Sequence, residues 1–315
     1  MGLLGDRVLE ALLTAEPGKP FGDLLAMHGP VVPGEIDLLA ERARDSSPRV
    51  RRNATVLLGL ARSDDRETVL RVLAHETGDP AVFALAAGAL RDGAAIARER
   101  PALVREALRD EDAKVAAAAV RLAFDVPEAG DALAATLADP RLVVRRAVVA
   151  LAAERGPGSL ESALRAMLED PSARGEIALG ELYAALVASD DPRTGEAVSR
   201  SLASATSSDR NQLATALRSA RGTWVRPFLL GQVHVDGPWR WTALALLAAA
   251  PDAPIADLVA ICRDHLAARL AAGVPERDLG AEEGVRACAN FLVLLAGVAL
   301  PDLRAILDFA TRWTP

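Results

Sequence analysis

What most constrains the fold of this chain is a pattern that recurs along it. A proline, or an acidic or serine residue, opens a stretch with apolar or small side chains at i, i+4 and i+8. The pattern begins at Ser47-Pro48 with Val50, Ala54 and Leu58, and returns at Asp79-Pro80 with Val82, Ala86 and Leu90. A third copy has Asp112, then Val115, Ala119 and Ala123, and a fourth has Asp139-Pro140, then Val143, Ala147 and Leu151. Weaker copies follow: Asp170-Pro171 with Arg174, Ala178 and Leu182, then Ser208 with Gln212, Ala216 and Ala220. Gly237-Pro238 precedes Trp239, Ala243 and Leu247, and Val285, Ala289 and Val293 repeat the spacing near the end. Measured between Val50, Val82, Val115, Val143 and Arg174, the intervals are 32, 33, 28 and 31 residues.

Residues four apart stack on one face of a helix, so each copy presents an apolar stripe. Alanine at the centre of the stripe lets a neighbouring helix approach closely. Proline suits the first turn, where its missing N–H would have no partner, and Asp or Ser before it can cap. Between these helices lie further amphipathic segments: Glu67–Glu76 with Leu70 and Leu73, Pro101–Arg109 with Val104 and Leu108, and Ser159–Glu169 with Leu160, Leu164 and Leu168. Two helices and a turn fill each repeat of about 30 residues. One hairpin cannot bury its stripe alone, but a stack of hairpins makes a continuous core.

Composition agrees. The 315 residues include 65 Ala and 47 Leu, both strong helix formers, and only four Trp, one Tyr and six Phe. The expected fold is all-α, an α-solenoid of stacked antiparallel helix pairs. Asp139–Leu151, with its Asp-Pro-x-x-Val-Val-Arg-Arg-Ala run, resembles the second helix of a HEAT repeat, and Ser47–Ala54 is similar. The resemblance covers about residues 35–190. It implies one continuous solenoid, with capping helices at 1–34, a repeat array at 35–250 and a C-terminal cap at 251–315. Within the caps we expect helices at Asp6–Ala15 and Ile255–Ala272, a Pro/Gly-rich link around Pro17–Pro20 and Gly29–Gly34, and a loop at Gly273–Gly284.

The formal charge of −7, from 36 basic and 43 acidic residues, argues against an obligate nucleic-acid binder. All but two of the basic residues are Arg, which fits the codon bias of a GC-rich genome. Two cysteines, Cys262 and Cys288, require no disulfide framework. The start shows no basic leader followed by an apolar stretch. The longest apolar runs, Trp241–Pro251 and Phe291–Pro301, are about half of a bilayer crossing. A cytoplasmic protein that does not engage membranes is expected. Asn53-Ala54-Thr55 matches a glycosylation sequon by chance.

No phosphate-cradling loop, Gly-x-Ser-x-Gly elbow or His-Glu-x-x-His motif occurs, so no catalytic residue, cofactor or metal is assigned. Cys262 and His265 share a helix face, and Cys288 lies in the next helix. Together they could form a thiolate–imidazole pair or hold zinc with an outside ligand, but ordinary core packing is the preferred reading. Trp239-Arg240-Trp241 clusters at a helix start, with one ring expected to be exposed. Exposed Trp beside Arg is typical of binding hot spots. In HEAT-like arrays the second helices line the concave face. Arg52, Arg145 and Arg146, with Arg218 and Arg240, are therefore candidate partner-binding residues beside Trp239 and Trp241. The apolar stretches Ala243–Ala250 and Phe291–Leu300 are either buried internally or dock another chain.

The resemblance implies architecture more than activity, since HEAT-like arrays host unrelated roles. The expected function is a non-enzymatic scaffold holding a partner protein or peptide on its concave face. The alternative is a DNA-binding enzyme like the alkylpurine DNA glycosylases, some of which are built from HEAT-like repeats. Arginines converging on one face beside an aromatic slot would favour that alternative. Arginines scattered and paired with carboxylates would not, and scatter is expected.

Overall fold

The computed structural model describes residues 2–16, 19–28, 30–61, 64–220, 222–237, 239–273 and 282–314. Among them every regular element is a helix and no strand occurs, so the chain is all-α. No helix among these residues is long and apolar enough to cross a membrane. The chain divides into two compact units, residues 1–163 with 175–177, and residues 164–174 with 178–315. The boundary falls inside the stretch assigned above to a single array.

In the first unit, the helices Pro48–Leu60, Pro80–Gly88, Ala113–Ala123 and Leu142–Arg155 pack each upon the next in chain order. Ile36–Arg42 packs on the first of them, Asp64–Glu76 on the second, and Pro101–Ala107 on the second and third. Small residues permit the close stacking: a Cβ on Gly59 would sit 3.5 Å from that of Ala89, and one on Gly88 3.5 Å from that of Ala118. Asp79 accepts from the N–H groups of Ala81 and Val82, and Asp112 from that of Lys114, so both are N-caps. Leu70, Leu73, Val104, Leu108 and Leu160 of the intervening segments are all buried.

The stripe, buried except for a half-buried Val50, sits at a fixed distance from each helix start rather than from each proline. Counting the first helical residue as zero, positions 2, 6 and 10 are Val50, Ala54 and Leu58; Val82, Ala86 and Leu90; and Val115, Ala119 and Ala123. The fourth helix starts two residues after Pro140, and its stripe is Val144, Val148 and Ala152. The expected Val143 is instead 57% exposed. Arg141 causes the delay. Its N–H and guanidinium occupy the Asp139 carboxylate, and Arg141 itself becomes the N-cap.

Arg51 and Arg141 build the same joint between successive helix starts. Arg51 Nη1 donates to the carbonyls of Asp45 and Ser46, at 2.9 and 3.0 Å, while Nε and Nη2 reach Asp79. Arg141 Nη1 donates to the carbonyls of Asp110 and Glu111, at 2.6 and 2.7 Å, while Nε and Nη2 reach Asp139. Other polar contacts also span about one repeat: Arg42–Glu10 and Arg44–Glu76 join residues 32 apart, and Arg155–Asp125 residues 30 apart.

In the second unit, Leu179–Leu186, Ser207–Leu217, Arg240–Ala248 and Glu283–Ala296 again pack in chain order. Arg193–Ser201 packs on Val225–His234, which packs on Arg240–Ala248, while Ile255–Ala271 packs on Glu283–Ala296 and Leu303–Arg312. Gly180–Asp209, Arg200–Glu169 and Gln232–Ser199 join residues 29, 31 and 33 apart.

Three of the weaker stripes need correction. Pro171–Arg174 is a separate short helix, and Ala178 is the extended N-cap of Leu179–Leu186, so Arg174 and Ala178 share no face with Leu182. Thr206, not Ser208, caps the next helix through a reciprocal box with Asp209. The buried stripe there is accordingly Asp209, Leu213 and Leu217, one residue later than Gln212 and Ala216. Trp239, Ala243 and Leu247 are buried as expected. Near the end Val285 is buried as well, with Cys288 and Leu292 in place of Ala289 and Val293. Pro17, Gly18, Gly29, Pro238 and residues 274–281 of the expected Gly273–Gly284 loop lie outside the described residues.

Candidate functional site

Arg52 is held in the first unit by Asp110, whose Oδ2 accepts from Nη2 at 2.8 Å. Arg145 and Arg146 turn toward one short loop. A Cβ on Gly175 would lie 3.1 Å from Arg145 Nη1, and Arg146 Nη2 donates to the Glu176 carbonyl at 3.5 Å. Arg218 is exposed at the C-cap of Ser207–Leu217. Trp239, by contrast, is only 3% exposed and packs 6.1 Å from Phe228, which meets Trp224 edge-on at 5.5 Å. It seals a core. Trp241 is half-buried, with the Arg240 guanidinium 4.9 Å from its ring centroid and Asp236 paired to that guanidinium. Asn53 of the sequon is buried, its amide donating to the carbonyls of Leu12, Leu13 and Ala15.

Two concavities bear on binding. A polar cleft of about 760 Å³ opens in the first unit between Glu16, Ser47, Arg49, Arg52, Glu111 and Asp112. Its arginines are committed, Arg49 to Glu16 at 2.7 Å and Arg52 to Asp110, so its charges are largely internal pairs. In the second unit, an apolar groove of about 540 Å³ runs between Arg240–Ala248 and Glu283–Ala296. Leu244, Ala245 and Ala249 form one wall, and Ala287, Asn290 and Leu294 the other. Leu294 is 81% exposed, and Ala245, Ala248, Ala249 and Ala287 are the small residues of the groove's lining. This groove lies between the two apolar stretches singled out in the sequence, whose contribution is thus split between core and surface.

Cys262 and Cys288 are both fully buried and free. Contact with the Cys288 thiol, then burial, holds the Cys262 thiol far above its ordinary range, which suppresses the thiolate that nucleophilic chemistry needs. Among the described residues, no group of three or more His, Cys, Asp or Glu is arranged to hold a metal ion. His265 meets Trp241 rather than a ligand set, with ring centroids 4.4 Å apart.

Sequence reasoning missed the Arg51 and Arg141 joints, although both arginines lie close to Asp-rich turns at the repeat interval. It also missed Trp224 and Phe228 as partners of Trp239. No protein-family model matches the chain, and no curated protein matches it either.

Proposed function

We propose that the chain is a HEAT-like α-solenoid that acts as a non-enzymatic scaffold, holding a partner protein or peptide on the face presented by its second helices. The observation that carries this reading is the order of packing. In each unit the stripe-bearing helices stack successively in chain order, with polar contacts joining residues about one repeat apart. Such a stack exposes a row of like helix faces, the geometry that repeat proteins use for extended binding surfaces. The apolar groove beside Ala245, Asn290 and Leu294 is the part of that face best suited to an apolar helix or strand of a partner. Pairing of Arg52 with Asp110, and of Arg240 with Asp236, supports a protein partner over the DNA-binding alternative, because these guanidiniums are already neutralised.

The test is capture from the native host followed by reconstitution from purified components. A stoichiometric complex that forms with the wild-type chain and is lost in Leu294→Glu supports the scaffold. Recovery of nucleic acid alone, released by nuclease or moderate salt, overturns it.

A further inference from the structure

His265 stands three residues after Cys262 on Ile255–Ala271, facing Trp241 from the neighbouring helix. The backbone of Gly284, in the first turn of Glu283–Ala296, presses on both rings. A Cβ there would fall 2.5 Å from the Trp241 ring and 2.7 Å from His265 Nε2. Nε2 is enclosed and accepts no hydrogen bond from the described residues. Glycine at 284 is thus what lets the helix seat against an imidazole.

The charges acting on the ring come from the Trp241 helix and the turn before it, from the His265 helix itself and from the start of Glu283–Ala296, with none from Leu303–Arg312. Arg240, on the Trp241 helix, is paired with Asp236 from the turn before it. Arg269, one turn along the His265 helix, is paired with both carboxylate oxygens of Glu282, the N-cap of Glu283–Ala296. Both carboxylates are therefore committed to guanidiniums. Cys262 and Cys288 are buried and free, and Glu276, Arg277 and Asp278 lie outside the described residues.

We propose that His265 is a pH-sensitive latch, whose neutral ring seats the first turn of Glu283–Ala296 and whose protonation loosens that turn. A proton on Nε2 would place a cation in an enclosed contact with no acceptor for its N–H, against the positive end of a helix, while Asp236 and Glu282 are held by their own guanidiniums. Burial, then Arg240 and Arg269, already hold the imidazole below its ordinary range, so the latch works on the acid side of neutrality. The loosened helix carries Ala287, Asn290 and Leu294, one wall of the apolar groove. Acidification therefore reshapes that groove. The latch belongs to the chain alone and stands whether or not the groove takes a partner.

The experiment follows the His265 ring by NMR from pH 8 to 4.5, with hydrogen exchange of the 284–290 amides, corrected for intrinsic rates, at pH 7.5 and 5. The His265 ring is expected to titrate below a histidine in an unstructured peptide. Protection of these amides is expected to be lost progressively across that titration and to stay constant at pH values above it. In His265→Gln the protection should not change with pH. A ring that titrates at or above the peptide value overturns the latch, as does an equal pH dependence in wild type and His265→Gln. The wild-type titration decides the matter alone if the variant fails to fold.

Discussion

Arg52 and Asp110 are 58 residues apart in sequence, yet a hydrogen bond of 2.8 Å joins them. The pair reaches past the intervening Pro80–Gly88 helix to the turn before Ala113–Ala123, and so fixes the relation of two helix starts nearly two repeats apart.

Asp110 also accepts from the N–H of Asp112, so Asp110→Ala loses the ion pair and a turn bond together. We expect about 1–3 kcal/mol of destabilisation, from one charge-assisted bond and one ordinary bond. Asp110→Asn should cost less, because its side-chain oxygen still serves the turn. A double-mutant cycle with Arg52→Ala, measured by denaturant unfolding, should return a coupling of about 0.5–1 kcal/mol, as for a partly exposed pair. A coupling of zero would make the bridge ornamental.

Asn53 ties the C-terminal end of the Gly2–Thr14 helix to the Pro48–Leu60 helix through three carbonyls. Asn53→Ala leaves those buried acceptors without their donor, at about 1–3 kcal/mol. Hydrogen exchange should quicken mainly over residues 7–15. Uniform quickening across the first unit would mean that Asn53 supports the whole unit rather than its first helix.

Asp79 and Asp209 contribute to the response to acid. Burial works against each carboxylate, but Arg51 and the amides of Val82 and Ala81 outweigh it at Asp79, and Thr206 and Gly180 do so at Asp209. Both folded pKa values are therefore lowered, and the native state binds fewer protons than the unfolded chain. Their stabilisation is complete above the unfolded carboxylate value of about 3.9 and is lost as pH falls below it toward the folded values. Denaturant midpoints between pH 6 and 2.5 should drop for wild type and drop less for Asp79→Asn. Parallel curves would remove Asp79 from the acid response.

Cys262 and Cys288 are fully buried, and the Cys262 thiolate is suppressed, so both should react with an aromatic disulfide reagent only when the second unit opens. Labelling at pH 8 should be at least about a hundredfold slower than for a free thiol and should accelerate with denaturant. Fast labelling in buffer would show that Ile255–Ala271 and Glu283–Ala296 part readily.

The helices and their rhythm are legible in residue order alone. Proline, Asp and Ser at helix starts, with alanine-rich stripes four residues apart, leave a chain this poor in β-branched and aromatic residues few other folds. Burial of Val82, Ala86, Val115, Ala119 and Leu247 was legible for that reason. Stripe register was legible only where the cap was. Arg141 occupies the Asp139 carboxylate and moves the start of its helix, and Thr206 rather than Ser208 accepts the capping N–H of Asp209; such competition for one carboxylate or one N–H is settled in three dimensions. The candidate site was less legible still. Arg52 looks like a binding residue until Asp110 is brought to it, and Trp239 until Phe228 covers it. Local periodicity says which face of a helix is apolar. Which part of that face remains uncovered, as at Leu294, depends on where the neighbouring helix ends, and only the tertiary structure decides that.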